Sequence, residues 1–201
     1  MMSIMILNAM QFLRFAFSLS AAAVLATAAL CPARAAEYTI DNSHSSFIFK
    51  VKHLNTSNFY GRFNEGSGTI VYDEAKPAES KVEISIKAES VDSNNKKRDA
   101  HIVSPDFFNA KEFPEIKFKS TAVKVEGEAF EITGDLTALG TTKPVTLKGQ
   151  ITGKGKNMGG KEIIGGEGTF TFKRSEFGIK GVPGGVGEEV TIIVSIEAIK
   201  K

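Results

Sequence analysis

Past its first three dozen residues, this chain alternates apolar and polar side chains with a period of two, segment after segment. Phe47–His53, Val82–Ala88 and Val190–Ala198 each put apolar residues on one face and mostly polar ones on the other, which is the pattern of a strand buried on one side only. Strands of that kind pair antiparallel. Similar runs recur near Tyr38–Asp41, Asn58–Phe63, Gly68–Asp73, Glu115–Val125, Phe130–Leu136, Val145–Ile151 and Thr169–Lys173. Turn residues separate them: Glu65-Gly66, Lys76-Pro77, Glu126-Gly127, Leu139-Gly140 with Lys143-Pro144, and the Gly-rich stretches Gly153–Gly160 and Gly178–Gly187. One segment departs from the pattern. Ser93–Val103 predicts a short helix, with Ser93 or Asp92 as its cap and Pro105 as its stop. The expected fold is all-β, a sandwich or a barrel, with one short helix across one end of the sheet. About eight such long antiparallel strands, if they close into a barrel, leave an interior that either fills with side chains or holds one small ligand.

The N-terminal segment follows a different logic. From Met10, Arg14 precedes an apolar stretch, Phe15–Leu30, and then Ala33-Arg34-Ala35. This is the order of charge, apolar core and small residues found in a secretory signal. Residues 1–35 are expected to be such a signal, cleaved after Ala35, with translation starting at Met1 or at Met10. The apolar stretch is shorter than the roughly 20 residues of a spanning helix, so no stable membrane insertion is expected. Cys31 raises lipid modification as an alternative, but Leu30 stands where such sites want a small side chain.

Removing that segment takes Arg14 and Arg34 from the 25 basic residues and no acid, leaving 23 of each sign. Charges of mixed sign along a neutral chain offer no basic stripe for a phosphate backbone, so nucleic-acid binding is not expected. The single Cys leaves as well, and with it disulfides, thiolate-held metals and a thiol nucleophile. The three histidines make no His-x-His or His-Glu-x-x-His pair. His44 and His53, nine apart, face opposite sides of any unbroken strand. Neither a metal site nor a cofactor is expected. Gly155–Lys161 fits most of a phosphate-binding loop, but Glu162 stands where a hydroxyl is needed and a strand pattern follows.

An ordered set of short motifs carries a resemblance. Tyr38-Thr39-Ile40-Asp41, His44-Ser45, Gly61-Arg62-Phe63, Arg98-Asp99-Ala100-His101, Ser104–Phe108, Phe113–Phe118, Gly134–Thr137, Gly140–Val145 and Arg174–Gly178 together resemble the YceI family across residues 37–201. The resemblance implies a lipocalin-like barrel in the periplasm that holds a polyisoprenoid or another long apolar chain. It implies a binding module, not an enzyme. Two other readings stay open: a stress-related interaction protein whose barrel is packed solid, and an enzyme acting on an isoprenoid lipid. Monomer and homodimer are both compatible with the chain.

On that footing Phe47, Phe49, Val51, Ile84, Ile86, Phe118, Val145, Leu147, Phe170, Phe172, Ile192 and Val194 are expected to point inward and line a cavity, several of them serving as plain core. Gly61, Gly68, Gly134 and Gly149 stand as vacancies among the large residues. Arg98 and His101, at i and i+3 on the helix, share a face and are candidates to meet a phosphate or carbonyl head group. The competing role for Arg98, with Asp99, is to pin the helix to the rim. Arg174 has the same two readings. Phe107 and Phe108 are expected to plug one end, and Gly178–Gly187 to form a flexible connector.

Overall fold

The computed structural model describes residues 35–201; the expected export signal, its start and Cys31 lie outside the described residues. Eleven strands form one antiparallel sheet that closes on itself. They are β1 (Ala36–Ile40), β2 (Ser46–His53), β3 (Ser57–Phe63), β4 (Gly66–Tyr72), β5 (Lys81–Lys87), β6 (Val91–Asp92), β7 (Glu115–Glu126), β8 (Ala129–Ala138), β9 (Thr141–Lys156), β10 (Glu162–Lys173) and β11 (Val186–Lys200). Strand β1 pairs with β4 on one side and β11 on the other, so an eight-membered ring, β1-β4-β5-β7-β8-β9-β10-β11, is shut.

Eleven segments arise from eight because three paths through the barrel are interrupted. β1 runs into β2, β3 into β4, and β5 into β6, with breaks at Asp41–Ser45, Asn64–Glu65 and Ala88–Ser90. Short side chains tie the breaks together. Asn42 donates to the Asn64 carbonyl at 2.9 Å and accepts the Gly66 N–H at 2.7 Å, while Ser90 Oγ accepts the Glu65 N–H at 3.0 Å. Asp41 caps its own 3₁₀ turn by accepting the N–H and hydroxyl of Ser43. Past the breaks, β2 continues along β11, and β3 pairs with β2 and briefly with β6.

Several expectations about boundaries need correction. The helix α1 spans Lys96–Ile102, and Asn95 caps it by accepting the Arg98 N–H at 3.0 Å. Ser93 is instead held by Asp99 and Arg98, and Asp92 accepts from Asn94. Pro144, expected in a turn, lies within β9 opposite Asp135. There β9 has β8 on one side and no partner on the other, since its ladder with β10 begins only at Lys148, and a proline without an N–H is tolerated at such an edge. The stretch Gly153–Gly160 is not all loop: Gly153 and Gly155 pair with Gly165 and Ile163, leaving a tight turn after Lys156.

The interior divides into two halves. Around the chain ends it is filled by Ile40, Val82, Val123 and Ile132, with Tyr38, Ile164 and Ala198 forming a second small cluster. Toward α1 the same inward positions surround a void. No helix among the described residues is long and apolar enough to cross a membrane.

Candidate functional site

Inward alternation on the strands builds the wall of a cavity of about 380 Å³, within the range of small-molecule sites. Phe47, Phe49 and Val51 come from β2, Ile84 and Ile86 from β5, Phe118 from β7, Leu147 from β9, Phe170 and Phe172 from β10, and Ile192 and Val194 from β11. Arg98 and His101 of α1 stand on the same wall. Val145 does not. It is buried opposite Gly134, where β9 has no β10 partner, in the packed core that also holds Phe177 and Ile179.

The void takes up one half of the barrel, and Lys52, His53, Arg98, His101 and Val182 are among its exposed lining residues. Its bore is set by aromatic rings lying flat across glycines. A side chain at Gly61 would collide with the Phe49 ring, one at Gly66 with Phe47, and one at Gly134 with Phe118. Two of the four glycines expected as vacancies, Gly61 and Gly134, are thus covered by neighbouring rings, and the lumen is the space those rings leave free. Gly68 and Gly149 serve a different purpose, since a Cβ there would strike the carbonyls of Glu83 and Glu167 across the sheet.

The sequence reading missed several wall residues. Phe59 and Phe63 flank Gly61 in the same phase on β3, and Val190 is in phase with Ile192, so the alternation already contained them. Lys52 and His53, at the end of β2, and Ile179, Val182 and Val186, on or beside the loop between β10 and β11, also reach the wall. A loop has no period, and sequence pattern could not place the loop residues. Phe107 and Phe108 line the wall beside the mouth: Phe107 lies over Gly181, and Phe108 meets Phe63 edge-on at 5.6 Å.

The two arginines of the wall differ in what they are free to do. Arg174 is buried, and its guanidinium donates to four backbone carbonyls, of Ile179 (3.1 Å), Gly181 (2.8 Å), Val186 (3.1 Å) and Gly187 (3.0 Å). It organises the stretch from Gly178 to Gly187, which is therefore no loose connector. Arg98 is exposed. Its Nε and Nη2 reach Ser93 at 2.8 and 2.6 Å, its Cζ sits 4.4 Å over the Phe59 ring, and no carboxylate pairs with it among the described residues. Arg98 and Asp99 do fasten the helix through Ser93, yet Arg98 also faces the mouth. His101 Nε2 is 3.0 Å from Asp106, and its ring meets Phe107 edge-on.

Away from the cavity, one group of described residues brings three metal-type donors within 4.8 Å of one another: Asp41, His44 and Glu197. His44 and His53 do not lie on one unbroken strand: His44 ends the 3₁₀ turn at Asn42–His44, and β2 begins at Ser46. These donors are engaged with each other. Hydrogen bonds from Ser43 and then His44 hold the Asp41 carboxyl down at about 2, and Asp41 in turn raises the His44 imidazole above its ordinary value.

Residues 38–198 match the YceI-like domain. A UPF0312 protein of Pseudomonas aeruginosa is 42% identical over 171 residues, 84% of this chain and 90% of that one. Among solved structures, the Campylobacter jejuni YCEI protein is 34% identical with a TM-score of 0.67, covering 75% of this chain and 90% of its own. A polyisoprenoid binding domain from Saccharophagus degradans shares the fold at a TM-score of 0.61 and 13% identity, over 84% of this chain and 100% of its own.

Proposed function

This chain belongs to the YceI-like family, and on that premise we propose that it is an exported binding protein that holds one long apolar molecule, a polyisoprenoid or similar lipid, in its barrel for transport, storage or scavenging. The observation that carries this reading is the apolar cavity itself. The polyisoprenoid binding domain of like fold fits the same ligand class. Each methylene buried contributes about 0.8 kcal/mol, so a dozen sheltered carbons supply roughly 10 kcal/mol before the costs of association and chain ordering. Micromolar binding is then within reach. A chain longer than the cavity leaves a portion outside it, beside the exposed wall residues of α1.

Arg98 and His101 are the side chains we assign to a polar head there, Arg98 because it is exposed, stacked and without an acidic partner. Export rests on the signal pattern of residues 1–35, and cleavage after Ala35 leaves β1, which closes the barrel, intact. The reading is of a binding protein, not an enzyme.

The test is to purify the processed protein without detergent, extract it with organic solvent and identify what is released by mass spectrometry. An apolar chain near one per barrel is expected, and a fluorescent long-chain fatty acid should compete for the site. Arg98→Ala should weaken that acid more than the corresponding alcohol. Release of nothing, with no uptake of the probe, would favour an interaction protein instead.

A further inference from the structure

Holding a ligand does not explain the rim of the cavity. Leu54, at the tip of the β2–β3 hairpin, and Val182, in the loop organised by Arg174, are 60% and 44% exposed, two of only four large apolar side chains so exposed among the described residues. They belong to one surface: the Leu54 N–H donates to the Gly185 carbonyl at 2.9 Å, and Val182 packs against Gly185. Both have left-handed backbones, φ 48° and 49°. That conformation suits Gly, Asn or Asp and is a marked outlier for a β-branched residue. Side chains that gain little burial and sit on an unfavourable backbone are not explained by folding, and strain of this kind collects where a surface has work to do.

Charge on the cavity wall beside that rim has one sign. The charged residues of the cavity wall are all basic. Lys117 is paired with Glu115, His101 with Asp106, and Arg174 is spent on carbonyls. Lys52 and Arg98 have no carboxylate within reach among the described residues. A cargo that water does not dissolve must enter from an apolar phase and leave into one.

We propose that this rim docks on the surface of an anionic lipid bilayer, with Leu54 and Val182 entering the acyl boundary, Lys52 and Arg98 at the level of the phosphates, and the cavity mouth facing the lipid. The proposal rests on the carrier reading above. It deepens that reading by naming where the cargo is exchanged.

Leu54 separates docking from holding, because it is on the rim and not on the cavity wall. Leu54→Asn removes the apolar side chain and puts at φ 48° a residue that accepts that backbone more readily. The processed full-length protein is floated with phosphatidylcholine vesicles made with and without phosphatidylglycerol, while binding of a fluorescent long-chain fatty acid and thermal stability are measured on the same samples. Wild type should float with the anionic vesicles and lose most of that binding in high salt. Leu54→Asn should float about tenfold less, with probe affinity unchanged and a melting temperature equal or higher. Equal flotation of variant and wild type, no flotation of either, or a change of oligomeric state in the variant would overturn docking while leaving the carrier reading in place. A wild type that takes up no probe would overturn both.

Discussion

The half of the barrel around the chain ends and the half around α1 are made from the same eight strand paths with the same alternation, yet one is solid and the other hollow. In the solid half, aliphatic side chains such as Ile40, Val82, Val123 and Ile132 are buried together in the core. In the hollow half, phenylalanines dominate, and glycines on the neighbouring strands let their rings lie back against the wall. Packing holds the first half together. The second gives up part of its core and is fastened at its rim by polar contacts, foremost the Arg174 guanidinium in its ring of carbonyls. Emptiness in a barrel is thus built by the same residue class that fills it, through where the rings are allowed to lie.

The largest test of this contrast is Arg174→Met, which keeps volume and removes every donor. Loss of several charge-assisted hydrogen bonds should destabilise the protein by about 3 kcal/mol or more in urea unfolding, and should expose residues 178–187 to hydrogen exchange before the strands of the solid half. A loss below about 0.5 kcal/mol would mean that the hollow half is held by something else.

Two glycine substitutions sharpen the comparison next. Gly149→Ala drives a Cβ into the Glu167 carbonyl and the Gly168 backbone, which cannot move without the sheet, and should cost about 2 kcal/mol. Gly61→Ala meets the Phe49 ring first, a side chain that borders the lumen and can swing into it. It should cost under about 1 kcal/mol while lowering long-chain probe affinity about tenfold, read by probe titration beside thermal melts. Equal stability loss with no change in affinity would refute the idea that these rings set the bore.

The smallest effect is at the seam between the halves, where β1 breaks before β2. Asp41 has its carboxyl at about 2 in the fold against an ordinary 3.8, so its contribution is present above pH 4 and is lost as pH falls from about 4 toward 2. His44 is raised above 6.5 by that same carboxylate. Its contribution is complete below 6.5 and fades as pH rises through its elevated folded value. Asp41→Asn should flatten the acid limb of a stability profile and return the His44 titration, followed by NMR, toward 6.5. An unshifted His44 would remove Asp41 as its partner.

How far all this could be read in advance follows from the kind of interaction involved. Alternation is a local property, so Phe47, Phe49, Val51, Phe170, Phe172, Ile192 and Val194 could be turned inward from the chain alone, and Phe59, Phe63 and Val190 carried the same signal unread. Val145 shows the limit. Its phase is inward, but whether an inward residue meets a void or a neighbour depends on which strand lies beside it, and β10 does not. The helix cap moved from Ser93 to Asn95 because Ser93 was claimed by Asp99 and Arg98, a choice among local acceptors made by the packed rim.

Sequence alone determined that this chain is all-β with one short helix and one apolar face to each strand, because a period of two and turn chemistry act between neighbours along the chain, while the barrel was implied by the resemblance of its ordered motifs. Only the tertiary structure decided that the interior is hollow in one half, that Arg174 is consumed in fastening a loop while Arg98, bonded to Ser93, stays exposed and without a carboxylate partner among the described residues, and that Leu54 and Val182 share one exposed rim. Those outcomes depend on atoms brought together from distant strands, whose competition for space and hydrogen bonds no local pattern records.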